Sequence, residues 1–210
     1  MTTSISKLET VVWVILLLIL STVVRERNHV LGNEITFWSD VAGKSPNKTR
    51  AHNNLGNAFI DAGRCDEAIF SLRLAIRADQ WYIEPHYNIA LCHIKKGLYD
   101  EAVLELEEVL RISAILKKGH YGAAIQPRYE MQAYADLGNI YNIKGMLDRA
   151  ISHYTEALGI APKDTATRFN LALTYKRLGN MSKARAEFEE ILRLNPEDEG
   201  ARRNLQELRR

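Results

Sequence analysis

Asn54–Ile76 reads NLGNAFIDAGRCDEAIFSLRLAI, and the same plan returns three times further along the chain. Asn88–Leu110 is NIALCHIKKGLYDEAVLELEEVL, Asp136–Leu158 is DLGNIYNIKGMLDRAISHYTEAL, and Asn170–Leu192 is NLALTYKRLGNMSKARAEFEEIL. The unit starts define a period of about 34 residues, interrupted once, between the second and third units, by an insertion of about 14. Self-similarity at such a period marks a stack of supersecondary units, none of which can bury its apolar face alone.

Each shared letter has a physical reason. A small residue (Gly56, Ala90, Gly138, Ala172) lets a second helix come close to the first, and a larger one follows three positions later (Phe59, His93, Tyr141, Tyr175). A glycine (Gly63, Gly97, Gly145, Gly179) then ends the first helix, where a positive φ is cheap only for glycine. Alanine opens the inner face of the second helix at Ala68, Ala102, Ala150 and Ala184. Four residues on stand Leu72, Leu106, Tyr154 and Phe188; three further stand Ala75, Val109, Ala157 and Ile191, as one helical face requires. Pro162 and Pro196 stop the second helix in the last two units, whereas Gln80 and Ala114 occupy that place in the first two.

This pattern resembles the tetratricopeptide repeat family. The resemblance implies an all-α, right-handed superhelical solenoid of helix-turn-helix repeats. The expected layout is a partial capping repeat at 31–48, repeats at 49–82, 83–116, 131–164 and 165–198, an insertion at 117–130, and a C-terminal capping helix at 199–210. The partial repeat rests on Trp38 and Val41 standing one repeat period before Leu72 and Ala75, and the C-terminal cap on Asn204-Leu205. Without a proline at Ala114, the second helix of the second repeat can run to Lys118 before Gly119 and Gly122 break it, and Pro127 suits the first turn of the next helix.

One polar position recurs in phase. Asn54, Asn88, Asp136, Asn170 and Asn204 each precede a Leu-Gly type pair, so stacked first helices carry them along one surface. The amide has a donor and an acceptor and can pair with the backbone of an extended peptide whatever its side chains. It can equally serve the folding pattern by bonding a neighbouring helix. The row resembles the asparagine ladder of the repeats in O-linked N-acetylglucosamine transferase. One turn away on the expected groove face lie Asn57, Tyr87, Asn139, Phe169 and Lys176. Asp136 interrupts the ladder with a group that only accepts when ionised, which favours a basic ligand segment there. The two-lysine clamp for a peptide C-terminus is not reproduced.

Outside the repeats, Val11–Val24, VVWVILLLILSTVV, carries no charge. A helix from about 8 to 24 approaches membrane-spanning length, and we expect an N-terminal anchor over 1–30, making this a single-pass membrane protein. A cleaved signal peptide and a buried helix are the rivals; STVVRER offers no small-residue cleavage site. Lys7 on one side and Arg25 and Arg27 on the other leave a near tie that slightly favours a cytoplasmic repeat side. The following stretch, with Arg27, Asn28, His29, Glu34, Thr36, Trp38, Asp40 and Ser45-Pro46-Asn47-Lys48, resembles the junction after the last membrane helix of multi-pass membrane glycosyltransferases that carry these repeats. That likeness implies a periplasmic or lumenal side and an accessory or truncated module.

The chain has 210 residues and a formal net charge of +2, too little to point to nucleic acid. Cys65 and Cys92 form no metal-ligand spacing and are expected to be buried thiols, and the six histidines are dispersed. No phosphate loop, nucleophile elbow or zinc-protease motif occurs, so no catalytic residue, metal or cofactor is expected. The expected function is a membrane-anchored scaffold or adaptor that holds a protein or peptide segment in its concave groove. The alternative is a non-catalytic subunit that presents acceptor polypeptide to a membrane glycosyltransferase.

Overall fold

The computed structural model describes residues 12–22, 33–119 and 127–208. All regular structure among the described residues is helical. Residues 12–22 form α1; there follow α2 (Glu34–Lys44), α3 (Thr49–Asp61), α4 (Cys65–Ala78), α5 (Ile83–Lys95), α6 (Tyr99–Lys118), α7 (Pro127–Ile143), α8 (Leu147–Ile160), α9 (Thr165–Arg177), α10 (Met181–Leu194) and α11 (Glu199–Glu207). The chain divides into two compact units, Met1–Gln80 and Trp81–Arg210.

In the first unit α3 and α4 make one helical hairpin, and α2 lies against α3. Gly56 is the close-approach point: a Cβ there would sit 2.5 Å from Leu72 Cγ, so only glycine fits the leucine beneath it. Ala42 is the buried residue of α2, with Trp38 and Val41 half-buried beside it.

The second unit stacks α5/α6, α7/α8 and α9/α10, each hairpin against the next, with α11 on α10. The expected inner faces are the core. Leu106, Val109, Tyr154, Ala157, Phe188 and Ile191 are each no more than 1% exposed, like Leu72 and Ala75 in the first unit. A Cβ on Gly138 would lie 2.5 Å from the ring of Tyr154, the same device as at Gly56 with an aromatic partner.

The turns inside the repeats are built alike. Gly63, Gly97, Gly145 and Gly179 have φ between 73° and 82°. The residue after each donates its N–H to the carbonyl five back, as in Leu98 to His93 O (2.9 Å) and Asn180 to Tyr175 O (2.9 Å). These are Schellman caps that satisfy the last carbonyls of the first helix. The next first helices begin on carboxylate caps: Asp164 accepts from Thr167 N (2.9 Å) and Asp198 from Ala201 N (2.8 Å). α6 continues to Lys118, past the place where its counterparts stop, and Lys117 Nζ reaches Glu130 of α7 (2.6 Å).

Two expectations need correction. Among the described residues no helix is long and apolar enough to cross a membrane. The single-pass membrane localisation is therefore overturned; the rest of the expected 8–24 helix, with Lys7, Arg25 and Arg27, lies outside the described residues. Second, Cys92 is buried as expected but Cys65 is only half-buried, because it opens α4 at the repeat's edge.

Candidate functional site

The recurring polar position leads to a hydrogen-bonded seam in the second unit. Tyr87 of α5 donates from Oη to Asp136 Oδ2 of α7 (3.0 Å). Asn139, one turn on, donates from Nδ2 to Asp136 Oδ1 (3.4 Å), and its Oδ1 accepts from Tyr154 Oη (2.7 Å) and from Asn170 Nδ2 of α9 (3.0 Å). Further along, Asn142 Nδ2 donates to Thr174 Oγ1, and Lys176 Nζ donates to Asn204 Oδ1 (3.1 Å) and pairs with Glu207 (2.7 Å) of α11. First helix is thus tied to first helix from α5 to α11.

Donor and acceptor accounting separates the seam's members. Asn139 has both carbonyl lone pairs occupied, so its oxygen is committed to the fold. Asn170 spends one N–H on Asn139 and is half-buried, leaving a second N–H and its carbonyl oxygen for another group. Asn204 gives an N–H to Gly200 O (2.9 Å) and accepts from Lys176. Asn88 is buried and engaged.

Tyr87 lies in the core, and Phe169 is half-buried against the apolar cluster of α9–α11. Tyr87 is 8% exposed with its ring 5.4 Å from that of Tyr129, and Phe169 meets Phe188 edge-on at 5.5 Å. Asn54 and Asn57 are half-buried on α3 of the first unit. Their neighbour Asn53 is 1% exposed, and neither of its amide atoms finds a hydrogen-bond partner among the described residues.

Burial sets the electrostatics. It pushes the Asp136 carboxyl above its ordinary range, while the bonds from Tyr87 and Asn139 pull it back. Burial, then the Asp136 charge, raises the Tyr87 phenol, and burial pushes Tyr154 up to about 12. Both tyrosines stay donors at neutral pH. Among the described residues no group of three or more His, Cys, Asp or Glu can hold a metal ion.

Sequence reasoning does not reach Tyr154, Asn142, Thr174 or Glu207 as members of this seam. The usable signal is the helical spacing: Asn142 stands three after Asn139, and Thr174 four after Asn170, so each pair shares a face.

The comparisons with known proteins agree with this architecture. The tetratricopeptide repeat family matches at residues 53–114 and again at 143–208. The chain carries tetratricopeptide repeats. Among solved structures it is similar to MamA, at 22% identity and TM-score 0.65 over 77% of this chain and 86% of that one. It is also similar to a thermophilic tetratricopeptide repeat protein of Thermus thermophilus, at 18% identity and TM-score 0.58 over 87% and 93%. PilF of Pseudomonas aeruginosa matches at 19% identity and TM-score 0.61 over 76% and 67%. At these identities the likeness carries the all-helical repeat solenoid fold and nothing about partners. No curated protein matches. The glycosyltransferase resemblance gains no support from these repeat-protein matches, and its motif residues Arg27, Asn28 and His29 lie outside the described residues.

Proposed function

We propose that this chain is a non-catalytic scaffold that holds an extended segment of a partner protein along its stacked first helices. The observation that carries the reading is Asn170, which sits in the seam with an N–H and a carbonyl oxygen to spare. An extended peptide offers alternating C=O and N–H groups, and one amide side chain can bind such a pair without reading side chains. The remaining seam bonds hold that amide in place, which lowers the ordering cost of binding.

The test uses a displayed library of random 12-residue peptides panned on the full chain. Enriched peptides are then measured by calorimetry against the chain and its Asn170→Ala variant. A loss of at least tenfold in affinity, with helicity unchanged, supports the reading. Equal affinity for both proteins removes Asn170 from recognition and overturns it.

A further inference from the structure

The turns inside the three repeats of the second unit are stitched side by side. The Lys144 ammonium after α7 pairs with Asp100 at the start of α6. Arg177 at the end of α9 donates to the Asn142 carbonyl (3.0 Å) and to the Asn142 side-chain oxygen. The segments 95–101, 143–149 and 177–183 therefore form one continuous edge.

That edge exposes large apolar side chains: Leu98, Ile143, Met146, Leu178 and Met181, with Ile143 60% and Met181 48% exposed. Turn geometry does not require them. The first unit makes the same glycine-capped turn with Asp61-Ala62-Gly63-Arg64-Cys65 and shows no large apolar residue there. Of the connections between repeats, APKD at 161–164 and NPED at 195–198 carry none, while DQWY at 79–82 exposes Trp81. Phe70, Trp81, Leu104 and Ile115 are exposed elsewhere; along this edge five such residues fall on three adjacent turns, where water rather than packing would otherwise meet them.

Their surroundings are basic. Lys95, Lys96, Lys144, Arg149, Arg177 and Lys183 stand against three acidic residues, Asp100, Glu101 and Asp148, within the same segments. Cations therefore outnumber acids two to one along this edge, while the whole chain is near balance at +2. Apolar anchors on an edge of net positive charge fit a partner of opposite charge with its own apolar face. With helices packing about 8–10 Å apart, three successive first-helix ends span roughly 20 Å, the length of a helix of about 13 residues. Methionine at two of the five anchors adapts to the shape of what it meets.

We propose that this edge is a docking surface, separate from the seam, for an acidic amphipathic helix of a partner protein. The probe is a fluorescein-labelled 16-residue peptide with leucine at i, i+3, i+4 and i+7 spacing and glutamate elsewhere, read by anisotropy against the full chain. Its counterpart carries lysine in place of glutamate. The glutamate peptide is expected to bind at least tenfold more tightly than the lysine one. The Ile143→Ser/Met146→Ser/Leu178→Ser variant should lose at least tenfold with its far-ultraviolet circular dichroism unchanged, and Asn170→Ala should lose nothing. Lys95→Glu/Lys183→Glu, which leaves the anchors in place, should weaken the glutamate peptide at least threefold. Equal binding of both peptides, or wild-type affinity in either multiple variant, overturns the proposal. So does binding to phosphatidylserine vesicles that depends on the anchors while peptide binding does not, because the edge then meets lipid.

Discussion

Asn53 and Tyr87 stand one repeat period apart, at the same place in consecutive repeats, and both are buried. Tyr87 carries its hydroxyl to Asp136, the first of the side-chain bonds that tie first helix to first helix as far as α11. Asn53 brings two polar atoms into the interior and finds no partner for them among the described residues. A repeat register fixes where a side chain points. Whether its polar atoms are satisfied depends on what the next layer offers, and an unsatisfied buried amide costs about 1–3 kcal/mol. The two units thus share one pattern but differ in how much of their polar interior contributes to stability.

The largest expected effect comes from adding one carbon at each close-approach point. Gly138→Ala drives a Cβ into the fully buried Tyr154 ring, whose hydroxyl is tied to Asn139, whereas Gly56→Ala meets Leu72, equally buried but with no polar tether. We expect destabilisation of about 3 kcal/mol at Gly138 and about 1 kcal/mol at Gly56 in urea unfolding. Equal losses would mean that both interiors yield alike. Next, Tyr87→Phe removes the donor that reaches a buried carboxylate and should destabilise by about 1–3 kcal/mol, read by the same method. The sharper contrast is Asn53→Leu, which deletes two unpaired polar atoms at near-constant volume and should raise stability by about 1 kcal/mol. A loss there would show that Asn53 has a partner in solution and would erase the distinction from Tyr87.

The smallest effect concerns pH. Because burial holds the folded Asp136 carboxyl above its ordinary value of 3.8, the folded state binds more protons than the unfolded one just above that value. Its contribution to stability is therefore greatest at low pH and declines as pH rises from 3.8 through the raised folded value. Asp136→Asn keeps an acceptor for Tyr87 and removes the titration. Its urea midpoint, compared with that of the parent protein from pH 3.5 to 7, should gain on the parent across that window. Parallel profiles would place the Asp136 carboxyl in solvent.

What the letters reveal, and what they withhold, follows from the range of each interaction. Gly63, Gly97, Gly145 and Gly179 are readable because a left-handed turn is a local demand on one residue. Leu72, Leu106, Tyr154 and Phe188 are readable because every repeat imposes the same inward direction. The ladder position is legible as a direction, yet the sequence does not say that Asn139 receives Tyr154 and Asn170 together while Asn170 keeps capacity to spare. Those pairings depend on small differences in distance between side chains that are 15 to 31 positions apart in the chain. Val11–Val24 misleads because freedom from charge alone does not make a membrane span, and among the described residues no helix is long and apolar enough to cross a membrane.

The insertion between the second and third repeats lengthens the chain without lengthening the stack. α6 and α7 lie against each other, and Tyr87–Asp136, Lys117–Glu130 and Ser113–Glu130 (3.1 Å) all bridge the inserted segment. That joint is held by side chains on ordered helices, and covalent continuity adds mainly the modest loop-closure entropy of the link. In engineering terms, a chain cut within the insertion is expected to reassemble from two separately expressed fragments, which co-purification of the two would check. The insertion offers a natural cut point for a split reporter whose reassembly is driven by the protein's own interior.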